Sequence, residues 1–454
     1  MNKRLTVFRY PALFAFILAL VIRLGYSIFI QQIHPDSIYQ FDSWGYLNIA
    51  KNLFDHGIFS QMIDPPNSPD PTRTPLYPSF ILLFHYLKLN GEWIVYAQAL
   101  MGALTASMAV KTAQLINRNN LANVFVGILV AINLPSIFMG NMVATEIPFT
   151  LLLTISIYYA VKGIRFREEQ AIHFSVLFMA IATLCRPISL YFLFLIPVLY
   201  FLTSGFGVFT KIKTLILHLV IISILIGPWV YRNQQVFGKA FYTNVSEINL
   251  LFHTTGQIRS IAENKPQKSF ELSYRENELG HLDFVNDPAA NAYFIDFARK
   301  ESKRVISENP AVFVKMWTTS MVMFFIKPMR AYFNMQLKGV TSYQSIASVE
   351  SRSEGSLLNK TINNSDTTTL ILVLIQLIQL GFIYFGIILS LKYWFKNNLI
   401  IFGLLGLLVL YMMAVSGLTE VDGRFRIPII PILAILSVPA FESFFKRKEK
   451  TGHE

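Results

Sequence analysis

A polar segment, residues 42–78, interrupts an otherwise apolar chain just after its first long hydrophobic run. It opens with Asp42-Ser43-Trp44-Gly45-Tyr46 and closes with Arg73-Thr74-Pro75-Leu76-Tyr77-Pro78. Asp42 suits two kinds of work. Tyr46, Leu47, Ile49, Ala50, Leu53 and Phe54 recur at spacings of three and four, which predicts an amphipathic helix over 43–55 lying at the membrane interface. Asp42 then takes its N-cap position, where a carboxylate accepts backbone N–H bonds. It also suits a general base that takes a proton from an attacking hydroxyl or amine. The roles are compatible, because a cap holds a carboxylate in place. Four arginines (Arg73, Arg186, Arg424 and Arg426) stand at the ends of apolar stretches, each beside a proline or a carboxylate. Guanidinium groups stay ionised and bind phosphate oxygens in pairs, but they also anchor helix ends to lipid headgroups.

The elements that must position these groups follow from composition. The chain has 454 residues, 53% of them hydrophobic and 15% charged, against about 25% charged in soluble domains. With a mean hydropathy of +0.46, it reads as an all-α polytopic membrane protein and not as a soluble enzyme with an anchor. The single cysteine, Cys185, lies in an apolar run and excludes internal disulfides and a cysteine-ligated metal. The eight histidines show no metal-site spacing. The net charge of +12 by itself suits nucleic acid, but most short-loop Lys and Arg fall where membrane topology places them, and that reading prevails.

Apolar runs predict about ten spans, near 10–30, 92–116, 121–138, 148–164, 171–185, 188–206, 214–230, 368–391, 399–416 and 428–445. One set of loops carries Lys111 and Arg118, then Lys162, Arg165 and Arg167, then Lys211 and Lys213, then Lys392 and Lys396, then Lys446-Arg447-Lys448. That set is expected in the cytosol together with both termini, and Met1-Asn2-Lys3-Arg4 before the first run reads as the start of a signal anchor. The four arginines fall on the opposite, outer face. Their convergence there, each near a proline that ends regular helix, favours a phosphate site. The run 78–89 is too short to cross, and 311–326, which contains Lys315, would invert the last three spans if it did. Both are read as juxtamembrane helices on the outer side. A helix is predicted over 289–306, and the Ser-, Thr- and Asn-rich stretch 329–367 reads as a flexible loop. Three parts result: a transmembrane core over 1–230 with its first outer loop at 31–91, an outer region over 231–367, and C-terminal helices with a basic cytosolic tail over 368–454.

The order of motifs along the chain resembles the GT-C glycosyltransferases of the protein-O-mannosyltransferase and aminoarabinose-transferase type. Asp-x-x-x-Tyr at 42–46 and Arg-x-Pro-x-Tyr-Pro at 73–78 are followed by Thr145-Glu146-Ile147-Pro148-Phe149 and Cys185-Arg186-Pro187. Gly227-Pro228-Trp229-Val230-Tyr231-Arg232-Asn233 comes next, and Gly423-Arg424-Phe425-Arg426-Ile427-Pro428 precedes the last span. The resemblance implies a GT-C-type helical bundle and inverting transfer of a sugar from a polyprenyl-phosphate-linked donor. The acceptor would be met at the outer face of the cytoplasmic membrane. By the same likeness Asp42 matches the catalytic base and Glu146 a second acid, although Glu146 equally suits a cap for the helix beginning at Pro148. Arg73, Arg186, Arg424 and Arg426 would hold the donor phosphate as its charge grows, and Tyr46 and Tyr77 would touch substrate; Tyr77 and Trp44 equally fit an interfacial belt. Asp55, Asp64 and Asp70 read as solvated loop acids. No cofactor is assigned, and a divalent metal stays open because related enzymes differ in metal use. The expected partners are the lipid-linked donor, membrane lipids and an acceptor (lipid, glycan or protein). The rival readings are a transporter or flippase of lipid-linked sugars and a polysaccharide polymerase or ligase.

Overall fold

The computed structural model describes residues 9–39, 42–63, 68–203, 207–339, 366–418 and 422–451, and every regular element among them is a helix. Residues 1–4, Asp64, the stretch 340–365 and the side chains of Lys446, Arg447 and Lys448 lie outside the described residues. Among the described residues, seven segments are long and apolar enough to cross a membrane: Pro11–Ile33, Gly91–Ile116, Glu146–Phe166, Val208–Phe237, Thr367–Asn397, Leu399–Ser416 and Gly423–Phe444. A bent pair of helices, counted as one span, would make an eighth. The spans expected at 171–185 and 188–206 appear as shorter apolar helices, Glu169–Cys185 and Pro187–Leu202. Seventeen helical residues reach only about 25 Å against a hydrocarbon core of about 30 Å. Short helices form at Ser43–His56, Leu76–Tyr86, Ala289–Glu308 and Pro310–Ile326, near where the sequence predicts them.

Small residues set the packing. The first helix buries Ala15, Ala19, Arg23 and Ser27, a stripe at i, i+4 spacing. It lies against Gly91–Ile116 and Asn120–Ala131, and a Cβ added at Gly127 would strike Ala15. Small side chains let membrane helices approach closely enough for dispersion contacts to accumulate. One main core draws on residues from Ala15 to Phe441, so the N- and C-terminal helices share it. A satellite cluster around Phe237, Phe252, Phe270 and Phe294 holds the region after residue 236.

The span expected as continuous over 121–138 is broken. Asn120–Ala131 and Leu134–Gly140 meet at 50°. Asn133 and Pro135 explain the break: Asn133 Oδ1 accepts from Ser136 N at 3.1 Å, starting a second helix with proline in its first turn. A break inside a membrane leaves backbone carbonyls without partners. Arg23 supplies them, donating to Ala131 O and Ser136 Oγ, both at 2.9 Å. Gln379 adds a bond to Leu129 O at 2.7 Å. The redirected chain then runs beside the first loop: Val143 N donates to Ile38 O at 3.0 Å, and Ser43 Oγ donates to Val143 O at 2.8 Å. Residue 146 is thereby placed next to residue 42.

Two other boundaries differ from expectation. Val208–Phe237 continues through Pro228 to a left-handed Gly238, so Arg232 and Asn233 belong to its last turns and not to the start of the outer region. The stretch from 329, read as a loop, begins with the helix Arg330–Lys338.

A Cβ at Gly102 would collide with the Arg23 guanidinium stem, whereas Gly25, on the same helix as Arg23, faces open space. Gly102→Ala should therefore destabilise the protein by about 1–3 kcal/mol through overpacking, and Gly25→Ala should not. Thermal unfolding of the detergent-solubilised protein measures the difference.

Candidate active site

Asp42 precedes Ser43–His56 in the N-cap position, yet its carboxylate makes no capping bond. The expected cap is absent because both oxygens turn to guanidinium groups, a stronger charge-assisted partner than an amide N–H. Arg73 Nη2 donates to Asp42 Oδ1 at 2.7 Å, and Arg424 Nη1 approaches Oδ2 at 3.5 Å. Arg73 also reaches Tyr46 Oη at 3.2 Å and lies 4.7 Å over its ring.

Glu146 opens the helix Glu146–Phe166 and is buried. Arg186 Nη1 donates to its Oε1 at 2.5 Å and to Thr145 Oγ1 at 3.2 Å, while Arg424 Nη1 stands 3.9 Å from the same carboxylate oxygen. Arg186 leaves its helix in extended conformation (φ −142°, ψ 126°) because Pro187 follows. That turn aims it across the helix ends. Thr74 Oγ1 donates to Cys185 O at 3.0 Å and so joins the Arg73 segment to the Arg186 turn. Arg424 thus stands between the two acids, and residues 42, 73, 146, 186 and 424 form one cluster. Three guanidinium groups face two carboxylates there, and the Nε atoms of Arg73 and Arg424 are buried without a protein partner.

Two expected members are placed elsewhere. Arg426 is 1% exposed and donates to Phe324 O at 2.6 Å and Lys327 O at 3.0 Å. It satisfies the carbonyls that end Pro310–Ile326, which an arginine does well, and it is not part of the charged cluster. Tyr77 is 1% exposed, and its hydroxyl donates to Gln98 Oε1 at 2.6 Å. Gln98 in turn donates to Gly140 O and Met142 O, so Tyr77 braces the loop leading to Glu146 and forms the wall behind Tyr46. Trp44 is exposed, stacks near Tyr39 and lines a cleft with Asn48, Lys51 and His85 that contains none of the five charged residues.

Positioning residues absent from the sequence-based set also emerge. Asp70, expected to be a solvated loop acid, is buried. Its carboxylate accepts from Arg73 N and Gln61 Nε2, both at 2.6 Å, while its carbonyl accepts from Arg232 at 3.0 Å. Asp422 accepts from Arg424 N and from Tyr332 Oη, both at 2.9 Å, and fixes the turn that presents Arg424. Gly423 is required in that turn, since a Cβ would meet Met329 and the carbonyl of Lys327. The visible signal for both acids was an aspartate two or three residues before one of these arginines, the spacing of turn-type side-chain caps.

Among the described residues no three His, Cys, Asp or Glu side chains come together as metal ligands would. Both carboxylates already face cations, and the donor set fits an anion better than a divalent metal.

Burial alone would raise the Asp42 pKa, but Arg73 and Arg424 reverse that and hold the carboxyl well below the usual carboxylate range. Its ion pairs therefore contribute stability at pH values above about 3.9, the ordinary aspartate pKa, and lose it as pH falls from there toward the depressed value. The stability difference between wild type and Asp42→Asn should stay level from about pH 8 to 5 and shrink below about pH 4, as read by unfolding at each pH. Asp70→Ala should lower stability by about 1–3 kcal/mol, since it leaves a buried N–H without its acceptor; unfolding at neutral pH reads this out.

A family model described as dolichyl-phosphate-mannose-protein mannosyltransferase matches residues 71–231, which include Arg73, Glu146 and Arg186. Among solved structures the chain is similar to the oligosaccharyltransferase of Archaeoglobus fulgidus in its apo form, with a TM-score of 0.50 and 14% identity over 97% of this chain and 51% of that one. At that identity the likeness shows the fold alone, and this chain spans about half the length of the archaeal enzyme. ArnT from Cupriavidus metallidurans bound to undecaprenyl phosphate matches at a TM-score of 0.41 and 13% identity, over 92% of this chain and 77% of that one. A comparison with curated proteins finds no match. The chain is a multi-pass, all-helical membrane protein whose fold is similar to that of the archaeal enzyme and whose residues 71–231 are similar to the mannosyltransferase family.

Proposed function

We propose that this chain is an inverting glycosyltransferase that moves a sugar from a polyprenyl-phosphate-linked donor to an acceptor at the outer face of the cytoplasmic membrane. The observation that carries this reading is the single cluster in which Asp42 and Glu146 share three arginines. Asp42 is its accessible acid, with a side chain 40% exposed against 3% for Glu146. In this reading Asp42 takes the proton of the acceptor O–H or N–H while that atom bonds to the anomeric carbon. The bond from that carbon to the phosphate oxygen breaks on the opposite face, and its electron pair leaves with the phosphate. Arg73, Arg186 and Arg424 face the charge that develops on the leaving group, which preorganised donors stabilise by several kcal/mol. Glu146 holds Arg186 and Arg424 in register, Tyr46 borders the substrate, and Arg426 supports the fold.

Topology supports an outer site. Arg165 Nη1 donates to Asn398 Oδ1 at 3.0 Å, joining two loops of the Lys- and Arg-rich set, whereas the cluster gathers loops of the other set. We assign both termini and that basic set to the cytosol, and the three-part division at residues 230 and 367 to core, outer region and closing helices. A transporter would place ionisable groups at mid-membrane for its cargo. Here Arg23, inside the first span, is committed to the carbonyl of Ala131 and to Ser136.

Purified protein incubated with a panel of labelled polyprenyl-phosphate sugars and acceptors should release polyprenyl phosphate. Asp42→Asn should lower that rate about 10²–10⁴-fold, the usual worth of a general base. Failure of wild type to consume any donor would sink the assignment.

A further inference from the structure

We infer that Asp42 and the donor phosphate compete for the same two guanidinium groups, Arg73 and Arg424, so that donor engagement releases the base and its protonation strengthens the hold on the departing phosphate. This rests on the reading of the cluster as a polyprenyl-phosphate site. The geometry separates the two acids. Glu146 is buried and pinned by Arg186, which Thr145 also holds. Asp42 is more open, makes no capping bond, and each of its oxygens faces one guanidinium. It is the exchangeable partner. Arg73 and Arg424 each bring a buried, unpartnered Nε–H, so their hydrogen-bonding capacity exceeds what Asp42 uses. Tyr46, Arg186 and Glu146 complete the polar surroundings.

Charge follows the same logic. Three guanidinium groups against two carboxylates leave one positive charge, which matches the single negative charge of a phosphodiester donor. When the acceptor proton passes to Asp42, the protein side gains one positive charge just as the phosphate gains a negative one. The site stays balanced through the reaction. Before the donor arrives, the arginines hold Asp42 as a weak base. Because binding couplings are reciprocal, whatever loosens Asp42 from the arginines tightens the phosphate.

Binding of undecaprenyl phosphate to the full-length protein in nanodiscs tests this, with undecaprenol as the tail-only control. Asp42→Asn should bind undecaprenyl phosphate about tenfold more tightly than wild type, within the range of ordinary two-site coupling. The gain should shrink in an Arg424→Gln background and vanish when Arg73→Gln is added to it, and undecaprenol should not distinguish the variants. Should Asp42→Asn not hold its fold, Asp42→Ser makes the same comparison. Equal or weaker binding by the Asp42 variants, with Arg73→Gln and Arg424→Gln still weakening wild type, overturns the competition and leaves the phosphate site standing. An equal gain with undecaprenol assigns it to the tail and also overturns the proposal. If undecaprenyl phosphate binds to no form, the phosphate-site reading itself falls, and the inference with it.

Discussion

Charged side chains withdrawn from water need partners, and among residues 42, 73, 146, 186 and 424 that need is met by sharing. Arg424 lies within 4 Å of both Asp42 and Glu146, with Arg73 closing one side and Arg186 the other. Removing one partner from a buried ion pair costs about 3–5 kcal/mol because the other is left uncompensated. Segments more than a hundred residues apart in sequence must therefore arrive together. The broken span, the turn before Pro187 and the capped turn at Asp422 can all be understood as ways of delivering these five side chains to one place.

The arginines around the cluster and at the helix breaks divide by what they face. Arg23 and Arg426 donate to backbone carbonyls at helix breaks and ends, where backbone groups lack an intrahelical partner. Their charge is dispersed over neutral acceptors and holds helices in place. Arg73, Arg186 and Arg424 face carboxylates, and two of them keep an N–H in reserve. Only the second group has the excess positive charge that an incoming anion would neutralise. Around it a further layer (Asp70, Asp422, Tyr77 with Gln98) fixes backbone and loops without joining the cluster. Rigid support of this kind keeps flexible guanidinium stems from wandering.

Much of the charged cluster was legible in the sequence because its members are marked by local signals. Prolines beside Arg73 and Arg186, and an aspartate heading an amphipathic repeat, mark where helix must stop or start. The short helices at 43–56, 76–86 and 310–326 follow from run length and periodicity alone. What escaped was pairing across the fold. Arg426 carries the same sequence cues as Arg424, two residues away, yet successive positions in the tight turn Gly423–Ile429 point in different directions. Asp70 looks like any polar loop acid until Gln61, Arg73 and Arg232 close around it. The break at residues 132–133 was signalled by Asn133 and Pro135, but its tolerance depends on an arginine more than a hundred residues earlier.

By itself the sequence determined that this is a many-helix membrane protein with acids and arginines at helix ends, because hydrophobic run length, proline and loop charge act locally. Tertiary structure decided which of those charges meet. Asp42 forgoes its helix cap for Arg73 and Arg424, and Arg426 turns to carbonyls, because ion pairing in a partly dry interior depends on distances of a few ångströms that spacing along the chain does not encode.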